Sequence, residues 1–386
     1  MDNTSYLELD ASALHNNFEY IRNRLSERTT LSHVIKGNAY GHGVGQFVPL
    51  AMKYGARHFS VFDSFEAYEL KQCFGAHPAR IMIMGMIFDE QIEWAIENDI
   101  EFFVFELHRL KRALATARKM KKPALIHLEL ETGMNRTGLE KAYWPTVARL
   151  LKEYEDCVEL MGFCTHFAGA ESIANHIRIR RQIKRFRQGV SRFNEHGVKA
   201  HYHHTACSAA FMRFPQTHMD MVRIGIMQYG FWPSMETYIA TEGASENPSD
   251  PLRRVISWKS TVMSTKRVDK GDYIGYGTSF LATQDMVVAA VPVGYGHGFS
   301  RSLSNSGRAL VRGERVSVIG TVNMNMMVLD VGNLDNVETG DEVVLIGQQG
   351  ERRIDVSSFS DYSDQLNYEL LTRLPKDIPR YVVNAS

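Results

Sequence analysis

The sequence predicts an α/β chain: an N-terminal (β/α)8 barrel of the TIM type followed by a mostly β C-terminal domain. Three observations carry this. Between about residues 30 and 226, short apolar β-rich runs alternate with longer segments of helical periodicity, as parallel strands joined by crossover helices do. The strand candidates number about eight, which favours a closed barrel over an open sheet. Beyond residue 251, strand-like runs follow one another through Gly-containing turns without long helices. A chain of 386 residues with 44% hydrophobic content can bury a large core and is long enough for one big domain and a smaller one.

Taken in order, TSYLELD within the first ten residues reads as a strand ahead of the barrel. The barrel candidates are LSHVIK (31–36), RHFSVF (57–62), RIMIM (80–84), EFFVF (101–105), ALIHLEL (124–130), VELMGFC (158–164), the run around AHYHH (200–204) and MVRIGI (221–226). Between them, SFEAYELKQC, DEQIEWAIEN and HRLKRALATARK carry apolar residues at helical spacing, with acidic or capping residues in their first turns. TEGASENPSDP (241–251) is polar and rich in Gly, Ser and Pro, so it reads as a linker. The barrel is therefore expected over 11–240 and the β domain over 241–386, with the strand of residues 1–10 added to it. Its strand-like runs are VISWKSTVMST, MVVAAVPVGY, RALVRG, RVSVIGTV, MMVLDVG and DEVVLIG.

Forty-four basic residues balance 44 acidic ones, so no global field draws the chain to nucleic acid or an anionic membrane, and a small-molecule partner is expected. The N-terminus lacks a basic head with an apolar core, and no apolar run approaches the ~20 residues that a bilayer needs, which predicts a soluble cytoplasmic protein. Cys73, Cys157, Cys164 and Cys207 are widely spaced and read as reduced thiols. His201, His203 and His204 invite a metal reading, but on a strand the first two share one face and His204 takes the other, and no further ligands accompany them. No metal site is expected.

At the carboxyl ends of barrel strands side chains converge on one site, and the polar exceptions of this sequence fall there. Lys36 ends the first strand, Arg136 follows the fifth, His166 the sixth, His204 and Ser208 the seventh, and Arg223 lies on the eighth. Any one alone reads as a surface or core residue; six at matching strand ends do not. Burial of a lysine after the apolar run HVI lowers its pKa toward the range where the amine is a nucleophile, and imine chemistry is one reason to keep it there.

The segment VIKGNAYGHG resembles the cofactor-lysine motif of the alanine racemases, which are fold-type III pyridoxal 5′-phosphate (PLP) enzymes, with Gly37 where alanine is common. The resemblance runs through nearly the whole chain. It implies that Lys36 carries PLP as an imine and that Tyr40 also binds the cofactor. ETGMNRTG implies Arg136 for the cofactor phenolate and substrate carboxylate, and THFAGAE implies a ring-stacking His166. HHTACSAA implies a phosphate-binding Ser208 with a supporting His204, while MVRIGIMQYG implies Arg223 at the pyridine nitrogen and backbone groups of Gly225 and Ile226 near the phosphate. In the second domain, GYGTSF implies a catalytic Tyr276, VPVGYGHGFSR an entrance-lining Tyr295, VNMNMM a carboxylate-binding loop around Met324, and NYELLTRLPKDIPR a phosphate-contacting Tyr368. A head-to-tail homodimer with shared active sites, supplying D-alanine as a peptidoglycan precursor, follows from the same resemblance.

The expected reaction interconverts L- and D-alanine with one base on each face of Cα, Lys36 and Tyr276. An arginine at 223 cannot give up its proton, so it leaves the ring nitrogen unprotonated and restrains the cofactor as an electron sink. Serine or broader-specificity racemisation, or another fold-type III activity such as decarboxylation or lysis, stands as the alternative. Three departures bear on tuning: Asn325 where aspartate is common, Cys207 where asparagine is common, and Glu129 where many members have a carbamylated lysine. The Glu129 carboxylate is expected to replace that carbamate and pair directly with Arg136.

Overall fold

The computed structural model describes residues 3–75, 77–243, 249–356 and 367–385; residues 244–248 of the expected linker lie outside them. The chain divides into two compact units, one of Met1–Ala13, Gly37–Phe47 and Arg254–Ser386, the other of Leu14–Lys36 and Val48–Arg253. After β1 (Ser5–Asp10), eight strands form the sheet of the second of these: β2 (Thr30–Val34), β3 (His58–Val61), β4 (Arg80–Ile83), β5 (Glu101–Val104), β6 (Ala124–Glu129), β7 (Val158–Cys164), β8 (Tyr202–His204) and β9 (Met221–Ile224). All pair in parallel in chain order, and β9 returns to lie on β2. The hydrogen bonds Asp220 N to His203 O (3.2 Å) and Arg223 N to Ala206 O (2.9 Å) draw β8 toward β9, so the barrel is nearly closed.

The helices are α1 (Ala11–Arg22), α2 (Val44–Lys53), α3 (Ser64–Lys71), α4 (Ile92–Glu97), α5 (Leu107–Met120), α6 (Trp144–Glu153), α7 (His176–Glu195), α8 (Ser208–Arg213) and α9 (Met235–Thr241). Local chemistry sets their ends. Asp63 caps α3 by accepting from Glu66 N, and α5 buries Leu110, Ala113, Leu114 and Ala117 on one stripe before Lys121 closes it in the left-handed region at φ 56°. Inside the barrel, Met82, Phe103, Cys164 and Met221 form a buried cluster, each large apolar member contributing about 1.5–3 kcal/mol by leaving water. The β6–β7 register has one irregularity: β7 carries an extra residue, so Ile126 faces Leu160 but His127 faces Gly162.

In the other unit, β10 (Ile256–Thr261), β11 (Ser264–Val268), β12 (Met286–Val291), β13 (Arg308–Val311), β14 (Glu314–Ile319), β15 (Met327–Asp330), β16 (Glu342–Gln349), β17 (Arg352–Ile354) and β18 (Arg380–Val383) join β1 in one sheet. Its order is β11-β12-β15-β14-β13-β16-β10-β1-β18, with β17 on β16. Only β1 and β18 pair in parallel; the other pairs are antiparallel. The VISWKSTVMST run is two strands, turning at Val262 and Met263. This unit also holds α10 (Asn367–Arg373) and the segment that follows Lys36 in the chain. From Gly37 to Tyr40, φ is 63°, 56°, 53° and 51°, a full left-handed turn that costs L-residues about 1–2 kcal/mol each and that glycine enters freely. Contacts hold it: the Gly41 carbonyl accepts from Arg380 Nη2 at 3.0 Å, and a Cβ on Gly41 would overlap the Leu371 carbonyl. Among the described residues no helix is long and apolar enough to cross a membrane.

Candidate active site

The six polar residues read from the strand ends belong to the barrel unit. Lys36 lies two residues beyond β2, after Ile35 has donated its N–H to Ser60 O at 2.9 Å. Its side chain is accessible, yet the surrounding protein lowers its pKa through desolvation first and the Arg136 charge second, against the opposing pull of Glu66 and Cys207. That favours the neutral, nucleophilic amine. His166, just past β7, is driven down to about 3 by burial and then by Arg223, Arg136 and Lys36, so it is a neutral ring beside those three basic side chains.

Arg223 is buried on β9. Its Nη1 donates to His204 Nδ1 and to His204 O (2.9 Å), and Nη2 donates to Thr165 O (2.8 Å). A guanidinium offers five N–H groups, and the Nε hydrogen and the second Nη2 hydrogen have no partner among the described residues. Nearby, Ser208 Oγ accepts from Gly225 N at 3.0 Å, leaving its own O–H available, and Ile226 opens a short 3-10 turn at the same place. His204 is fully buried, whereas His201 and His203 face Glu159 (3.2 Å) and Asp220 (2.8 Å).

The expected pairing of Glu129 with Arg136 is not made; no ion pair joins them among the described residues. Burial raises the Glu129 pKa, a hydrogen bond from Thr137 and the charges of Arg223 and Arg136 oppose it, and Arg136 acts only at a distance. The loop explains this: Glu131 binds the N–H groups of Gly133 and Asn135, and Asn135 adopts φ 58°, so the chain turns before Arg136.

Five further expected residues, Tyr40, Tyr276, Tyr295, Met324 and Tyr368, belong to the other unit. The Tyr40 and Tyr368 rings lie 6.0 Å apart. Tyr276 sits between Gly275 (φ 77°) and Gly277 (φ 70°) and is 74% exposed. The Tyr295 turn is bound to the Met324 loop by Gly296 N to Met324 O (2.8 Å), and Ser279 Oγ lies 3.0 Å from Thr321 Oγ1, so the three segments are tied together and Tyr276, Tyr295 and Met324 are all exposed. Sequence reasoning missed Glu101, His127 and Thr165, which support Arg223 and His204 from within the barrel. A histidine and a glutamate inside apolar strand runs are the signal that could have found them.

Comparison with known proteins identifies the family. Residues 9–233 match the family model of the alanine racemase N-terminal domain, and residues 255–382 that of the C-terminal domain. Alanine racemase of Leptospira interrogans is 34% identical over 99% of this chain and 96% of its own length, and that of Methanococcus maripaludis 32% identical over 97% of each. The crystal structure of alanine racemase from D-cycloserine-producing Streptomyces lavendulae superposes with a TM-score of 0.90 at 30% identity, covering 100% of this chain and 98% of that one. The barrel with its convergent strand-end residues, the β domain with its exposed tyrosines and both family models lead to one conclusion: the chain belongs to the alanine racemase family.

Proposed function

We propose that this chain is a PLP-dependent racemase that interconverts L- and D-alanine, using Lys36 and the partner's Tyr276 as the two bases. The observation that carries the cofactor assignment is Arg223: a buried guanidinium fixed by three hydrogen bonds with two N–H groups left over suits a ring nitrogen that must accept without being protonated. The other donors fit as well. Lys36, with its lowered pKa, is the amine that holds the cofactor covalently, Ser208 with the Gly225 and Ile226 backbone suits the phosphate, and His166 offers a neutral ring face. Tyr40 and Tyr368 complete the cofactor set. When bound, PLP supplies an electron sink that makes the Cα–H of a joined amino acid acidic.

This chain's residues then do the rest. Arg136, accessible and cationic, orients the substrate carboxylate with the Met324 loop of the second subunit. The Lys36 Nζ takes or returns the proton on one face of Cα, and the Tyr276 hydroxyl does so on the other, so inversion needs both. Tyr295 narrows the entrance, which favours a small side chain. A head-to-tail homodimer is supported by two exposed apolar sets: Phe62, Phe65 and Phe88 on the barrel unit, and Tyr276, Met324 and Tyr295 on the other. A cytoplasmic location belongs to the same reading.

Co-expression of Lys36→Ala with Tyr276→Phe tests the sharing of sites. Each variant alone is expected to be inactive, whereas random pairing restores about a quarter of wild-type activity, because half of the dimers carry one intact site out of two. Absence of restored activity in verified hybrids would count against shared sites, and an unchanged PLP absorbance band in Lys36→Ala would remove the cofactor assignment.

A further inference from the structure

Behind Arg223 and His204 the barrel interior contains a buried polar chain to which the proposed reaction assigns no role. His127 Nδ1 lies 2.8 Å from His204 Nε2, and His127 Nε2 lies 2.7 Å from Glu101 Oε2; all three side chains are fully buried. At the far end Glu101 Oε1 meets Arg80 Nε at 2.6 Å, and His58 Nε2 stands 3.5 Å from Oε2. The near end is the hydrogen bond from Arg223 Nη1 to His204 Nδ1.

Every proton in this chain is fixed by the arginine. A guanidinium only donates, so His204 Nδ1 accepts, and the neutral ring carries its hydrogen on Nε2. That hydrogen is donated to His127 Nδ1, so His127 in turn carries its hydrogen on Nε2 and donates to Glu101. The result is a one-way relay, Arg223 to His204 to His127 to Glu101. Burial keeps both histidines neutral, His204 with Arg223 as its second cause and His127 against the pull of Glu101. Burial would raise the Glu101 carboxyl, but the hydrogen bond from His127 and the neighbouring His58 ring overcome it and hold the pKa well below its ordinary value. Without an acceptor at the far end, His204 could present Nδ1–H to the guanidinium, donor against donor.

Gly162 supplies an independent observation. A Cβ there would overlap His127 Nδ1 and lie 2.8 Å from His204 Nε2, the two atoms of the central bond. Its φ is not in the left-handed region, so space rather than backbone freedom calls for glycine. The extra residue in β7 brings Gly162 opposite His127, and the Phe103 ring, 5.9 Å from His127 and 5.8 Å from His204, covers the bond with apolar surface. We propose that Glu101 and His127 are positioning residues that, through His204, lock Arg223 as a donor toward the cofactor's ring nitrogen, with Gly162 as the gap that admits the relay. This rests on the reading of Arg223 as the ring-nitrogen partner.

The test reconstitutes holoenzyme with PLP labelled with 15N in the ring, and records solid-state 15N spectra and kinetics for wild type, Glu101→Gln, Gly162→Ala and Arg80→Gln. Glu101→Gln removes the terminal charge, Gly162→Ala parts the two rings without changing charge, and Arg80→Gln removes the guanidinium at the half-exposed end. Expected are a shifted ring-nitrogen signal, mixed histidine tautomers and a kcat lowered about 10- to 100-fold with KM little changed for the two buried variants, and the same direction with a smaller size for Arg80→Gln. If wild type binds PLP and racemises alanine while the ring-nitrogen signal stays put in every variant that folds, the relay has no positioning role and the active-site reading survives. If wild type itself takes up no PLP, both fall together.

Discussion

Replacing Arg223 by lysine keeps the charge and removes the shape. The guanidinium reaches His204 Nδ1 and His204 O with one nitrogen and Thr165 O with another. Lysine presents all its hydrogens from a single atom, so it cannot span both strands, and at least one charge-assisted bond is lost. Such a bond contributes about 1.5–3 kcal/mol, and a buried carbonyl left without a donor adds about 1–3 kcal/mol. Part of that cost returns through relaxation, so a loss of about 2–4 kcal/mol is expected. Urea denaturation of cofactor-free Arg223→Lys and wild type, followed by circular dichroism, measures it without ligand linkage. A loss below about 1 kcal/mol would refute the reasoning that this arginine is held by a two-pronged fit.

Acid should destabilise the fold before carboxylates titrate. His33 and His42 are buried and each is lowered to about 3 from 6.5, first by burial, so the unfolded chain binds protons that the folded chain refuses. Stability is full above about pH 6.5 and falls as pH drops toward 3, by about 2 kcal/mol per histidine on reaching pH 5; denaturation at pH 7 and 5 checks this, and equal stability contradicts it. Glu129→Gln should be neutral or stabilising at pH 7, since burial raises that carboxyl and its ionised form is a cost there; a large loss in a thermal melt would show that the charge is needed. Gly37→Ala should cost about 1–2 kcal/mol, from a left-handed φ of 63° and a Cβ lying 3.1 Å from Thr372 Cγ2, as read by the same melt. A gain in stability there would mean that the turn opens in solution.

The strand ends were legible because chemistry there contradicts its surroundings. Lys36 after HVI and Arg223 within an apolar strand cannot be cheap, and both belong to the site-bearing barrel unit. The relay behind Arg223 was not read, although Glu101 and His127 stand out in EFFVF and ALIHLEL. Their partners lie 26 and 77 positions away, so only the strand order and the extra residue of β7 bring them together. β18 escaped for a similar reason, as its parallel partner β1 sits at the opposite end of the chain. The Glu129 pairing failed because a seven-residue separation says nothing about a loop whose direction Glu131 and the left-handed Asn135 decide.

The most direct measurement incubates wild type and Lys36→Ala with PLP and L-alanine, then follows the enantiomers by chiral chromatography. Alanine racemisation through Lys36 predicts that wild type reaches an equal mixture of L- and D-alanine and that Lys36→Ala leaves L-alanine unchanged. Persistence of L-alanine with wild-type protein loaded with PLP, or undiminished inversion by Lys36→Ala, would contradict it.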